Sequence, residues 1–191
     1  MAGHKRRIRR SSGLSADCGV SPGSRLEEDA VVSMTDIRKM IMGVDPGGTT
    51  GITIIEVSWD DSRYDPSPNT HIMNTQIEAS WGTGPESVGW KIRDLIETYN
   101  PDLIALEKFI ITQQTVRFTR QPDALWIIGG VRFVADTFLI PVHMQPASLA
   151  KTTWDAARLN DTGWAKVVKQ KHARDALRHA LTSCVTYKPT A

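Results

Sequence analysis

Two acidic residues stand at the ends of short apolar runs, where a carboxylate is costly to bury. Asp45 ends the run IMGVD and is followed by Pro-Gly-Gly, and Glu107 ends the run DLIALE. Further along, His172 and Asp175 are three residues apart in a segment with a helical pattern, so they share one flank of it. Desolvating a carboxylate costs free energy unless a cation meets it. We therefore interpret these four residues as ligands that separate elements bring to one cation site.

This set of side chains predicts a particular chemistry. Carboxylate oxygens favour Mg²⁺ over zinc, and a lone imidazole also suits Mn²⁺. Cleavage of a phosphodiester with two such ions needs a bridging carboxylate and flanking ligands, so that one ion activates water and the other stabilises the leaving oxygen. Asp45 is the candidate bridge. The predicted metal ligands, which are also the predicted catalytic residues, are Asp45, Glu107, His172 and Asp175.

The runs around these residues predict the elements that position them. KMIMGVD, GITIIEV and NTHIMNTQIEA predict three consecutive strands, hence an antiparallel meander. Segment 84–100 then predicts a helix that leads to a fourth strand, DLIALE, and segment 122–140 predicts a helix that leads to a fifth, PVHMQP. A last helix of about 25 residues is predicted over 161–185, with Asp161 or Thr162 as its N-cap.

The predicted last helix has an apolar stripe with three polar residues on one flank. That flank holds His172, Asp175 and His179, and we interpret His179 as a helix-surface residue rather than a ligand. The glycines after Asp45 are assigned to the tight turn there: Gly47, Gly48 and Gly51. The apolar stripe consists of Ala173, Ala176, Leu177, Ala180 and Cys184.

Length and composition indicate one globular domain with a tail. The 191 residues are 40% hydrophobic, and no apolar run approaches the ~18–20 residues that cross a bilayer. The first residues carry charge and serine rather than an apolar signal sequence. The two cysteines, Cys18 and Cys184, have no metal-ligand spacing and suit a reducing compartment. We expect a cytoplasmic protein without a membrane partner.

The beginning of the chain differs in composition from the rest. Residues 1–37 include HKRRIRR and few large apolar residues, which predicts a disordered basic arm, and residues 38–188 are predicted to form the folded domain. The acidic residues at 27–29 argue against a mitochondrial transit peptide. Charge also divides the folded part, since residues 41–107 hold 3 Lys/Arg against 11 Asp/Glu and residues 108–191 hold 12 against 5. One half is thus suited to cations and the other to polyanions.

Three short motifs carry a resemblance to a known family. GVDPGGTTG, ALEKF and HARDAL, in this order, resemble the catalytic motifs of the RuvC family of Holliday junction resolvases, over roughly residues 41–185. The resemblance implies an α/β RNase H-like fold: a mixed five-stranded sheet, with an antiparallel meander of three strands followed by parallel strands, flanked by helices. It also implies a homodimeric, Mg²⁺-dependent endonuclease that cuts four-way DNA junctions in recombination and repair, in the cytoplasm of a bacterial or phage-infected cell. By motif position it assigns the metal ligands to the same four residues as above.

The sequence departs from the pattern of that family in two places. Residues 151–171 compress a region that is usually longer and basic, so contacts to the junction are expected to differ. The family often has an aromatic residue three positions after the strand-end glutamate, whereas here Phe109 is two positions after it and Ile110 takes the third. The candidate DNA-binding residues are Phe109, for base stacking, and, for phosphates, Lys108, Lys151, Lys166, Lys169 and Lys171.

Two other functions remain open at this level. A less selective nuclease for forks and flaps would use the same site. DPGGTTG also resembles the phosphate-binding turn of actin-like ATPases and sugar kinases, which would make the chain a nucleotide-binding or regulatory protein.

The run from Asp123 to Ile140 contains more apolar residues than one helix face buries, which predicts a dimer interface.

Overall fold

The computed structural model describes residues 37–60, 63–64, 67–78, 84–110 and 123–187. The predicted disordered arm lies outside these ranges except for Ile37, which begins the first strand one residue before the predicted boundary. Residue 188, the predicted end of the domain, also lies outside them. Across the described ranges, no helix combines the length and the apolar character that crossing a membrane requires.

One mixed sheet organises the described residues. Its strands are β1 (Ile37–Asp45), β2 (Thr49–Asp60), β3 (Arg63–Tyr64), β4 (His71–Glu78), β5 (Leu103–Lys108) and β6 (Val142–Pro146). The order is β3-β2-β1-β5-β6, and β4 also pairs with β2. Pairs β1–β2 and β2–β4 are antiparallel, whereas β1–β5 and β5–β6 are parallel. The five predicted strands and the meander are confirmed, and the two-residue β3 is an addition.

Helices cover both faces of this sheet. They are α1 (Gly84–Tyr99), α2 (Asp123–Thr137), α3 (Ala147–Thr153), α4 (Ala156–Asp161), α5 (Trp164–Val167) and α6 (Lys171–Thr186), with a 3₁₀ turn at Pro68–Thr70. The predicted helix over 84–100 is confirmed as α1, and one apolar face of it is buried: Val88, Ile92, Leu95 and Ile96.

Successive strand residues alternate between two apolar cores. Met42 and Val44 of β1 pack in a cluster with residues of α1 and α2, while Ile41 packs in a second cluster with residues of α6. The same alternation in β5 sends Ile104 to the first cluster and Ala105 to the second. Because side chains alternate along a strand, the odd-numbered residues of β1 and β5 face α6.

Helix α6 lies unusually close to the sheet. An added Cβ on Gly43 would be 2.1 Å from the carbonyl oxygen of Ala176, and one on Gly51 would be 2.0 Å from that of His172. The hydroxyl of Thr53 also donates to the carbonyl of Ala173 at 2.6 Å. Gly51 lies within β2, so its earlier assignment to the turn is wrong: it makes room for the first turn of α6.

The prediction of one long helix over 161–185 is wrong in its first half. Gly163 is left-handed with φ 85°, Val168 and Gln170 are extended, and α6 begins only at Lys171. The chain folds back on itself here, and Trp154 and Trp164 are fully buried in the same cluster as Val168. Burying two indoles against the sheet outweighs the local preference for a continuous helix.

Candidate metal centre

Two carboxylates meet where neighbouring parallel strands end. The register pairs Val44 with Leu106, so Asp45 and Glu107 are each the next residue of their strand at the same end of the sheet. Both have odd numbers and therefore face α6, as Ile41 does. The parallel pairing that the sequence predicted is thus what brings these two carboxylates side by side.

Helix α6 places the imidazole of His172 next to the carboxylate of Asp45. Nδ1 of His172 lies 3.0 Å from Oδ2 of Asp45. The first turn of α6 is itself held, because the backbone N–H of His172 donates to Oε1 of Gln76 on β4 at 2.8 Å. Sequence reasoning did not single out Gln76. Its position in the alternating pattern of β4 is the signal that could have pointed to it.

The two carboxyl groups share a partly buried, negatively charged environment. Burial raises the pKa of Asp45, and a hydrogen bond with Glu107 and the negative charges of Glu107 and Asp175 raise it further, to about 8, against the opposing charge of Lys151. Burial also raises the pKa of Glu107, but hydrogen bonds with His179 and Asp45 and the charges of His179 and Lys151 outweigh it and leave that pKa below its usual value.

Asp175 lies close enough to act on Asp45 electrostatically, but its carboxylate has a partner of its own. The guanidinium of Arg178, one turn later on α6, forms an ion pair with Oδ1 of Asp175. Nε of Arg178 also donates to the carbonyl oxygen of Trp154 at 2.8 Å. Arg178, which sequence reasoning missed, therefore ties Asp175 to the end of α3, and the i, i+3 spacing of opposite charges was its signal.

The chemistry of these side chains fits a hard divalent cation. Two adjacent carboxyl groups, one of them with its pKa raised by burial and by the other carboxyl group, form a site whose negative charge a cation would stabilise. The described residues do not, however, gather three or more His, Cys, Asp or Glu side chains into one cluster close enough to hold an ion. Among the four predicted ligands, Asp45 and His172 contact each other, whereas Glu107 also contacts His179 and Asp175 contacts Arg178.

His179 is buried, which corrects its interpretation as a surface residue. It is 1% exposed, and its Nε2 lies 3.2 Å from Oε2 of Glu107. The predicted apolar stripe of α6 is confirmed around it, since all five of its residues are buried. His179 follows His172 by seven residues, two helical turns, and this spacing was the available signal that both imidazoles meet strand-end carboxylates.

The predicted DNA-binding residues differ in their exposure and in what they lie close to. Lys151 on α3 is exposed and near enough to lower the pKa of both strand-end carboxyl groups. Phe109 is half buried and packs against the apolar core, while Ile110 is 54% exposed. The other candidates are exposed: Lys108 at the end of β5, Lys166 in α5, Lys169 after it, and Lys171 at the start of α6.

Comparison with solved structures identifies the fold. The structure of Thermus thermophilus RuvC matches with a TM-score of 0.59 and 16% sequence identity, over 75% of this chain and 92% of that chain. The structure described as T. thermophilus RuvC in complex with Holliday junction substrate matches with a TM-score of 0.57 and 16% identity, over 75% and 91%. Neither protein-family models nor curated proteins match the sequence.

At this level of identity the shared property is the fold. The mixed sheet flanked by helices, the antiparallel meander followed by parallel strands, and the closing helix against the sheet all agree with the prediction from the three motifs. The chain has the RNase H-like fold of the RuvC resolvase, with Asp45 and Glu107 at the ends of its two central parallel strands.

Proposed function

We propose that the protein is a Holliday junction resolvase, a DNA endonuclease that depends on Mg²⁺ or Mn²⁺. One observation carries the proposal: Asp45 and Glu107 meet at the end of two parallel strands on a RuvC-like fold, with His172 of α6 hydrogen-bonded to Asp45. A chain with this fold could have kept the architecture and lost the carboxylates. Their presence at the same end, with a histidine and a third carboxylate on α6, favours nuclease chemistry over a purely structural role.

The residues that would hold the metal are Asp45, Glu107, His172 and Asp175. When bound, two divalent ions supply an activated water and stabilise the leaving oxygen. The chain's own contribution is to position these ligands: β1 and β5 fix the two carboxylates side by side, and α6 is held against the sheet by its contacts at Gly51 and Gln76. Release of Asp175 from Arg178 would free a fourth ligand.

The DNA backbone would approach the exposed side of this centre. Lys151 supplies positive charge close to both carboxyl groups, and such a charge neutralises phosphate without reading sequence. In the sequence, the short helices α3 to α5 stand in place of the longer basic region expected in the family, and α3 carries Lys151. Junction contacts are therefore proposed to come from α3 and the segment before α6.

A second copy of the chain would supply the paired cuts that a junction requires. On α2, Ile128 and Val131 are buried in the core, but Trp126 and Phe133 remain 68% and 74% exposed. Phe133 also lines an apolar groove between α1 and α2 together with Trp90. An apolar surface of this kind marks an interface, so we propose that two copies meet on this face and place one centre on each of two opposed strands.

A cleavage assay tests the function. The purified chain, with Mg²⁺ or Mn²⁺, is incubated with labelled four-way, three-way and linear DNA that share one arm sequence. We expect paired, symmetric nicks in the four-way junction and little cutting of the others. Cutting of all branched forms at similar rates would instead identify the less selective nuclease. Absence of cutting with either metal would contradict the proposal, and ATP binding in that protein would favour the actin-like alternative.

A further inference from the structure

We propose that His179 is a positioning residue for the metal centre: its imidazole fixes the Glu107 carboxylate in the orientation that metal binding needs. The inference rests on the proposed function, and it adds a residue that neither the three motifs nor the predicted ligand set includes. It starts from the direct contact between the two side chains, with Nε2 of His179 3.2 Å from Oε2 of Glu107.

Burial separates His179 from the residues that can meet a metal. Its side chain is 2% exposed, whereas those of Glu107 and Asp45 are 20% and 13% exposed. The ring therefore lies beneath the carboxylates, away from the side that solvent and DNA reach. Its contact to the centre runs through Glu107, so its role is to orient that carboxylate rather than to touch a substrate.

The hydrogen-bond partners of the ring define what it contributes. Glu107 as a carboxylate only accepts hydrogen bonds, so Nε2 must carry the hydrogen that joins them. Nδ1 is buried and has no hydrogen-bond partner within the described part of the chain. A buried polar atom without a partner costs free energy. Packing alone does not explain why the ring keeps this position at that cost, whereas its hydrogen bond to Glu107 does.

The helix segment that carries His179 is itself tied to the strand next to Glu107. Gln145 on β6 is the register partner of Glu107 on β5. Its Nε2 donates to the backbone oxygen of His179 at 3.2 Å and also to Oγ of Ser183. Glu107 and Gln145 are thus neighbours in one row of the sheet: the row carries the glutamate and also holds the backbone of His179, which orients that glutamate.

Glutamate needs such support because its side chain is long. Fixing its rotatable bonds costs conformational entropy, and a metal has to meet that cost when the carboxylate is free to move. Groups that hydrogen-bond to metal ligands in this way typically change metal affinity about 10–100-fold when removed. Because His179 holds Glu107 before any ion binds, the conformational entropy is lost on folding and not on metal binding.

The test measures metal affinity in the absence of DNA, by calorimetric titration of the full chain with Mn²⁺ and with Mg²⁺. We compare His179→Phe, which removes the donor, with His179→Gln, whose amide reaches the place of Nε2, and His179→Asn, whose shorter amide does not. Thr182→Val is the matched control, because Thr182 is buried on the same helix and its hydroxyl has no partner in the described structure. A thermal melt of each metal-free variant shows whether it is folded.

We expect about 10–100-fold weaker metal binding for the Phe and Asn variants, within threefold of wild type for the Gln variant, and no change for the Thr182 control. If the Phe variant does not fold, the comparison of Gln with Asn decides. Equal affinities of folded Phe variant and wild type, or equal losses in the Gln and Asn variants, would overturn the inference while leaving the proposed function intact. A wild-type protein that binds neither metal would overturn both.

Discussion

Replacing Gly51 by alanine tests whether close contact between α6 and the sheet positions the centre. The added Cβ would lie 2.0 Å from the carbonyl oxygen of His172 and 2.1 Å from its carbonyl carbon, both backbone atoms, where ordinary contact begins at 3.4 Å. The first turn of α6 must therefore move outward by about 1.4 Å. This shift would carry the imidazole of His172 away from Asp45, from which it now lies 3.0 Å.

Two effects of this shift can be sized. Overpacking of this kind costs about 1–3 kcal/mol, which for a domain of this size lowers the melting temperature by about 2–12 °C. A displacement of about 1 Å in a catalytic group costs about 100-fold in rate, so four-way junction cleavage should fall more steeply than stability. Thermal melts and single-turnover cleavage with Mg²⁺ measure the two effects on the same preparation.

Gly48→Ala is the matched control, since a Cβ on Gly48 would meet nothing within 4 Å. We expect this variant to melt and to cut as wild type does. If Gly51→Ala also cut at the wild-type rate and melted at the wild-type temperature, the close approach of α6 to β2 would not position the centre, and the reasoning from the two backbone distances would fail.

Three further predictions concern the metal, the DNA and the second copy. Asp45→Asn should abolish cleavage but keep junction affinity, and residual cutting near the wild-type rate would refute the role of Asp45. Mg²⁺ at 100 times its Kd should stabilise the wild type by about 2.7 kcal/mol and leave the melting temperature of the Asp45→Asn variant unchanged. Lys151→Gln should weaken DNA binding and reduce the log-log salt slope by about 0.9, unlike Lys91→Gln on the opposite face of the sheet; equal slopes for both variants would count against phosphate contact. Phe133→Lys should turn a dimer into a monomer in light scattering, unlike the exposed Val185→Lys, and a monomeric wild type at micromolar concentration would contradict the dimer.

The sequence predicted the strands and the two central carboxylates because both depend on local pattern. Asp45 and Glu107 each end a buried run, and parallel pairing of the two runs is enough to bring them together. The apolar stripe of α6 was predictable for the same reason, since its period is that of a helix. These features require no knowledge of what packs against them.

The errors arose where tertiary packing decides the outcome. The break before α6 follows from burying Trp154 and Trp164 in one cluster, which no helix-propensity pattern reveals. The role of Gly51 depends on the distance of α6 from β2, and the burial of His179 depends on which side of α6 faces Glu107. Arg178 likewise gains its partner at Trp154 through the fold, not through spacing.

Anomalous scattering from crystals soaked in Mn²⁺ tests the central claim most directly. If Asp45, Glu107, His172 and Asp175 form the metal centre, a manganese peak should lie between the carboxylates of Asp45 and Glu107, and it should be lost in Asp45→Asn crystals soaked identically. Wild-type crystals that bind Mn²⁺ elsewhere, or that show no peak between these carboxylates at saturating Mn²⁺, would contradict the assignment of this end of the sheet as the catalytic centre.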